Sequence, residues 1–583
     1  MWNKIILITI FILTIIPIVS ATSGHLTLLT VGESGNETVG GTADLFLEIK
    51  PGSGRVFIDS FPLTKVDTQI STRFAKDVSC NFLEMDCSNK DFFYTIRANA
   101  PIVGGPSAGS AITVLTIALL DNLKLDEKTV MTGTINSGGL IGPVAGIKEK
   151  AEAARRKGFK KVLVPKWSII INESEIINES DNESLNKSYM YADSLKVTGI
   201  EIKTISTIEE ALEEFTGKKF EKYNYPIKIP DKYNRIMKKV ANQLCDRYDS
   251  IMKNISKEKL IEKNSTINIT NHQAKLGLEA LETEDYYSAA SYCFTANSGI
   301  KSVELYNQSN ESLRQLKNQI KSEVNNMLLS LDAMKLKTMS DLETYIIVKD
   351  RLYETKTLLK ENESQIFKSL GYINERFYSA VAWSEFFEYN EKTVNINEEY
   401  LANACLAKLS EAEERNSYVN LLFGDKIPEN KQLQQVKEIY ASGDYAFCLF
   451  KASKLKADSD ALLSTIAITH EKLPELISDK LTAGKTSINK QGDTFPILGY
   501  SYYNYASSLK ENEPMLAVIF SEYTVELSNL DMYFPKEKKL KFDFDYDYLA
   551  KVGIGFGLGI IFSLIVLSSS KKTSNKKKHS KER

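Results

Sequence analysis

The chain changes character once, near Ile227-Lys-Ile-Pro-Asp231, and that change constrains its folding more than any other feature. Ahead of it, β-rich runs such as HLTLLTV, ADLFLEI and RVFIDS alternate with helical stretches at Asp67–Phe82, Ala108–Leu123, Ile147–Lys157 and Ile208–Phe215. Such alternation predicts an α/β (α+β) domain over 24–219. Beyond it, over 231–534, glycine and proline become scarce and apolar residues recur at helical spacing. Three stretches there read as helical hairpins, beginning at Ala274, Val436 and Tyr502, with Ala289, Cys448 and Ala517 placed to fill the helix crossings. A length of 583 residues with 43% hydrophobic content allows two or more folded units. The net charge of −2 gives no bulk attraction to nucleic acid.

The hairpins resemble tetratricopeptide-type pairs but lack a regular period, so an irregular helical bundle stays open beside that reading. Polar sequence from 168 to 190 reads as an insertion within the first domain.

Both ends carry targeting signals. Lys4, the apolar run Ile5–Val19 and the small residues Val19-Ser20-Ala21 predict a secretory signal peptide over 1–21, with an uncleaved anchor as the alternative. Residues 550–570 centre on the uncharged run Val552–Leu567, about long enough to cross a bilayer, and 571–583 is lysine-rich. Basic flanks stay on the cytoplasmic side, so the expectation is a single-pass membrane protein with an external ectodomain and a cytoplasmic tail. N-x-[ST] sequons at Asn36, Asn172, Asn178, Asn182, Asn186, Asn254, Asn264, Asn268, Asn307, Asn310 and Asn362 all fall between the two apolar ends and suit a glycoprotein. Six cysteines suit an oxidising exterior. Proximity suggests the bridges Cys80–Cys87 and Cys245–Cys293, with buried free thiols as the alternative.

The chemistry concentrates in GGPSAGS at Gly104–Ser110, MTG at Met131–Gly133 and AGIKEK at Ala145–Lys150. Ser107 sits in a tight loop that opens a helix, beside unpaired backbone N–H groups able to hold an oxyanion. A lysine activates a serine when burial keeps its amine neutral, which is the Ser-Lys variant of nucleophilic catalysis. The four histidines offer little: only His25 shares the domain, while His272 and His470 lie in helical sequence and His579 in the tail. Neither H-E-x-x-H nor Cys/His ligand spacing occurs, so no metal and no cofactor are expected.

At these motifs the chain resembles the proteolytic domain of Lon proteases, over roughly Gly24–Lys219. The resemblance implies Ser107 as nucleophile, Lys150 as general base and Thr132 as the hydroxyl orienting it. Gly105, Pro106, Ala108 and Gly109 would shape the loop in support, and Lys148 would be a surface neighbour. It implies peptide-bond hydrolysis of unfolded or surface-exposed polypeptides, and the family's hexameric ring raises a homo-oligomer. Two positions depart from the family pattern: Gly104 replaces an acidic residue, and Thr134 replaces a glutamate. No phosphate loop occurs, since GKT at Gly484–Thr486 follows Asp479 where a glycine is needed. The expectation is therefore an ATP-independent, membrane-anchored, extracytoplasmic serine endopeptidase. Self-processing, or a surface scaffold with a vestigial catalytic domain, remain the alternatives.

Overall fold

The computed structural model describes residues 22–34, 37–172, 188–220, 225–389, 396–423, 431–465, 468–491, 494–534 and 559–560. The expected signal peptide, the cytoplasmic tail and all but two residues of the expected span lie outside these. Among the described residues no helix is long and apolar enough to cross a membrane.

The first part is an α/β domain built on one mixed sheet. Its strands are β1 (Thr22–Ser34), β2 (Glu37–Pro51), β3 (Val56–Thr64), β4 (Lys90–Val103), β5 (Thr129–Met131), β8 (Lys161–Pro165) and β11 (Glu201–Ile205). They lie in the order β11-β8-β5-β1-β2-β4-β3. The β11, β8, β5 and β1 strands pair in parallel, whereas β1–β2 and β2–β4 are antiparallel. Two hairpins stand apart: β6 (Thr134–Ile135) with β7 (Ile141–Gly142), and β9 (Ile169–Asn172) with β10 (Ser188–Tyr191). The polar insertion is thus rooted in a β-hairpin, whose tip is outside the described residues.

Four helices pack on the sheet: α1 (Val66–Phe82), α2 (Gly109–Leu120), α3 (Ile147–Lys157) and α4 (Ile208–Thr216). The α2 helix is buried through most of its length, which explains why it reads as one apolar run without a polar face. A short 3₁₀ turn, Pro106–Ala108, links β4 to α2. Ser107 therefore sits in that turn, just ahead of the helix.

The second part is helical. Its elements are α5 (Asp231–Met252), α6 (Lys257–Glu262), α7 (Asn264–Glu282), α8 (Tyr286–Leu305), α9 (Asn310–Asp332), α10 (Met339–Leu358) and α11 (Glu363–Trp383). They continue as α12 (Glu398–Phe423), α13 (Lys431–Ala441), α14 (Tyr445–Thr465), α15 (Leu473–Lys490), α16 (Ile497–Leu509) and α17 (Pro514–Leu527). The hairpins read from sequence are α7–α8, α13–α14 and α16–α17, and Ala289, Cys448 and Ala517 are fully buried. Disulfides join Cys80 to Cys87, Cys245 to Cys293 and Cys405 to Cys448, and no thiol is free. The last of these links α12 to α14.

The compositional switch at Asp231 does not separate two bodies, because the described residues between 22 and 534 form one compact unit. Leu140 of the first domain is buried with Ala483 and Val525, and Trp167 packs against a cluster containing Leu473, Leu476 and Val518. Buried charge reinforces the junction. Lys408 Nζ donates to Glu411 at 2.8 Å, to Glu526 at 2.8 Å and to Ser137 Oγ at 3.0 Å. Lys456 Nζ lies 2.9 Å from Glu411 and 4.3 Å from the centre of the Phe74 ring on α1. Burial alone would raise the Glu526 carboxyl, but Lys408 and Lys456 outweigh it and hold the group below the usual carboxylate range. Truncating one member of such a cluster strands the opposite charges out of water. Glu526→Ala should therefore destabilise the folded chain by about 3–5 kcal/mol, measured by denaturant unfolding. The exposed pair Arg314–Glu363, broken by Glu363→Ala, should cost under about 1 kcal/mol.

Candidate active site

Three segments meet at Ser107. The loop bearing Ser107 follows β4, the Met131–Gly133 segment leaves the end of β5, and Lys150 projects from the first turns of α3. Backbone bonds fasten the first two together: Gly133 N–H donates to the Ser107 carbonyl at 2.9 Å, and Ser110 N–H donates to the Gly133 carbonyl at 3.1 Å. Ser110 Oγ adds a second bond to that carbonyl at 2.8 Å. Only glycine fits at position 133, because a Cβ there would lie 2.3 Å from Ile141 and 2.9 Å from Ser110 Oγ. Gly105 adopts φ +102°, a conformation that side chains disfavour, as the chain turns into Pro106.

Thr132 links the serine loop to the lysine. Its Oγ1 donates to the Ser107 carbonyl at 3.1 Å and accepts from Lys150 Nζ at 3.2 Å. Lys150 is 2% exposed, whereas Lys148 two residues earlier is exposed. Burial lowers the Lys150 amine to about 7, against a small opposing effect of Glu149. Ile147 and Val144 are buried together with Leu29, Val130 and Val162, so the root of α3 is apolar. The amine is thus about half neutral near pH 7, and the neutral fraction has a lone pair to accept a proton. Ser107 is partly exposed, so its hydroxyl can be reached from the solvent side. The structure brings Ser107, Thr132 and Lys150 together through Thr132, with no direct hydrogen bond between Ser107 and Lys150.

His25 takes no part in this cluster. It lies on β1 and pairs with Asp44 on β2 at 3.2 Å, near the solvent. Among the described residues no cluster of His, Cys, Asp and Glu could hold a metal ion.

The two departures from the family pattern have local structural readings. Gly104 abuts Lys65, whose side chain lies 2.5 Å from where a Cβ would be. A carboxylate nevertheless reaches this loop from α1: Asp67 Oδ2 accepts the Gly105 N–H at 3.0 Å. Thr134 is buried in β6, facing Gly142, where a Cβ would come within 2.3 Å of its Oγ1.

Residues 83–190 match the model of the Lon protease (S16) C-terminal proteolytic domain, a range that contains Ser107, Thr132 and Lys150. The chain carries a proteolytic domain of the Lon family. That family is one of serine endopeptidases. The chain is similar to the Lon protease of Paraburkholderia phytofirmans, 37% identical over 128 residues, 21% of this chain and 16% of that protein. It is 33% identical over 127 residues to the Lon protease of Methanosarcina barkeri, 21% of this chain and 16% of the relative. Against the archaeal Lon protease of Thermoplasma acidophilum it is 32% identical over 127 residues, 22% of this chain and 17% of the relative. The chain thus spans about a sixth of the length of these curated relatives. The helical body lies outside the matched residues.

Sequence reasoning did not find Asp67, nor the side chains that reach this site from the helical body. Arg415 Nη2 donates to the Ile135 carbonyl at 3.1 Å, and Tyr418 OH accepts the Ala145 N–H at 2.8 Å. Together with Lys408 and Glu411 they recur at steps of three and four residues along α12. That spacing sets them on one helix face, and charge at such spacing ordinarily marks a solvated surface.

The site yields a prediction about its two lysines. Lys150→Arg should lower peptide hydrolysis by about 10³-fold or more with the fold intact, because a guanidinium does not deprotonate. Lys148→Ala should be nearly silent. Thr132→Val, which removes two hydrogen bonds worth about 1 kcal/mol each, should slow turnover by roughly tenfold to thirtyfold. Steady-state rates with circular dichroism on each variant check these outcomes.

Proposed function

We propose that this chain is an ATP-independent, membrane-anchored serine endopeptidase that works outside the cytoplasm through a Ser107–Lys150 dyad. The observation that carries the chemistry is a buried lysine, lowered to about 7, tied by one threonine hydroxyl to the loop bearing the serine. Neutral Lys150 takes the Ser107 hydroxyl proton as Oγ attacks a peptide carbonyl. The tetrahedral oxyanion is received by the backbone N–H groups of Ser107 and Ala108 in the Pro106–Ala108 turn, since Pro106 has none and that of Gly105 donates to Asp67, and the dipole of α2 adds positive potential. Lys150 then returns the proton to the leaving amine. Water, deprotonated by the same lysine, hydrolyses the acyl-enzyme and frees Ser107.

Location is supported by the sequence: a leader-like N-terminus, an apolar run followed by lysines, and sequons confined between them. Three disulfides are in keeping with an oxidising exterior. The substrates would then be surface, secreted or membrane polypeptides in unfolded or exposed form. The absence of a phosphate-loop motif from the chain supports hydrolysis without ATP.

Two measurements test this reading. Purified full-length protein should cleave unfolded casein without ATP, and Ser107→Ala should not; equal activity in both would sink the assignment. Protease added to intact cells should digest an epitope placed in the 173–187 segment and spare one placed after Lys571. The reverse pattern would place the enzyme on the other side of the membrane.

A further inference from the structure

Helix α12 of the body lies against the catalytic machinery. It packs on the 3₁₀ turn carrying Ser107 and on α1. Its Arg415 and Tyr418 bond to backbone groups on either side of the dyad. Ile135, which accepts from Arg415, follows the Thr132-Gly133-Thr134 segment, and its side chain meets Gly109 at the start of α2. Ala145, which donates to Tyr418, directly precedes Gly146, whose carbonyl accepts the Lys150 N–H at 2.9 Å. Tyr418 thus fixes the chain where it enters the helix that carries the base. Both side chains are buried, Arg415 to 2% and Tyr418 to 7% exposure.

We propose that Tyr418 and Arg415 are positioning residues for the dyad, so that the helical body completes the protease site. The proposal rests on the Ser-Lys reading above and names what that reading needs in order to work. A lysine base must be held within tenths of an ångström of its serine, and misplacement by about 1 Å costs about a hundredfold in rate. The loop at Ala145 would otherwise present an unpaired N–H beside the root of α3, inviting water toward an amine that depends on dryness. Arg415 is itself held by Asp460, 2.7 Å from its Nε, and α12 is held to α14 by the Cys405–Cys448 bridge. The clamp is therefore rigid on its own side.

The groups facing each partner are few. Around Tyr418 they are the Ala145 N–H, Arg415 and Glu414; around Lys150 they are Thr132 and Glu149. Removing the Tyr418 hydroxyl changes no charge near Lys150. A shift in the pH profile would then report access of water to the amine.

The test uses the full-length chain and an unfolded peptide substrate. Tyr418→Phe should lower kcat about tenfold with KM within about twofold, and should move the midpoint of the pH–rate profile upward by about one unit, toward free lysine. Arg415→Lys, which keeps a charge for Asp460 but loses the planar reach to Ile135, should shift both quantities in the same direction by less. Tyr248→Phe removes a buried hydroxyl bonded to Thr270 and Asn271 deep in the body, and should change neither. Thermal unfolding separates positioning from stability, since Tyr418→Phe and Tyr248→Phe should lower Tm similarly. Wild-type kcat and pH profile in Tyr418→Phe, or an equal loss in Tyr248→Phe, would overturn the proposal. Failure of the wild-type chain to turn over any unfolded peptide would instead bring down the dyad reading beneath it.

Discussion

Removal of one amine from water governs this molecule. Lys150 can act as a base near neutral pH only if its surroundings refuse a charge, and burial at the root of α3 supplies that refusal. Its environment is built from both sides of the sheet sequence: Leu29 from β1, Val130 from β5, Val162 and Val164 from β8, with Val144 and Ile147 from the helix approach. Among the described residues Thr132 provides the polar contact that orients the amine without charging it. Its hydroxyl donates to the Ser107 carbonyl and keeps its lone pairs for Lys150. A carboxylate in that place would raise the lysine and extinguish the base.

The same logic explains the contrast with the domain junction. There, buried lysines Lys408 and Lys456 are surrounded by Glu411 and Glu526, and their charge is retained; Lys408 is held above the usual lysine range. One fold therefore contains buried lysines of opposite character, distinguished by whether a carboxylate is within reach. The charged set ties body to domain through Ser137 and the Phe74 ring. Lys150, with its lowered amine, lies next to the loops held by the neighbouring turns of α12.

Much of this was legible in the residues. Proline and glycine around Ser107, the MTG triplet and the second lysine of KEK point, through the resemblance to Lon proteases, to Ser107, Thr132 and Lys150, which the structure links through the Thr132 hydroxyl. Helices at Ile147–Lys157 and Val66–Phe82 follow from apolar periodicity, and the first was read with its bounds unchanged. The bridges Cys80–Cys87 and Cys245–Cys293 followed from proximity, whereas Cys405–Cys448 joins helices whose packing no local pattern reveals. The α12 face was opaque for a different reason. Lys408, Glu411, Arg415 and Tyr418 have the spacing and polarity of a solvent stripe, and only the tertiary structure shows them facing a protein surface that supplies Ser137, Ile135 and Ala145 as partners. Asp67 was hidden likewise, since its contact with Gly105 spans 38 residues of chain.

The central claim is that Ser107 is activated by a neutral lysine, and the rate at which the serine attacks an electrophile with a fluoride leaving group measures it most directly. A fluorophosphonate probe reacts covalently with the activated hydroxyl, so its second-order labelling rate on the full-length chain can be followed from pH 5 to 10, a range set by the lysine amine rather than by histidine. The account requires a rise through about 7, the position to which burial lowers Lys150, with the same profile in His25→Ala and no labelling in Lys150→Met or Ser107→Ala. A rise only near the free-lysine value, or unchanged labelling in Lys150→Met, would contradict it.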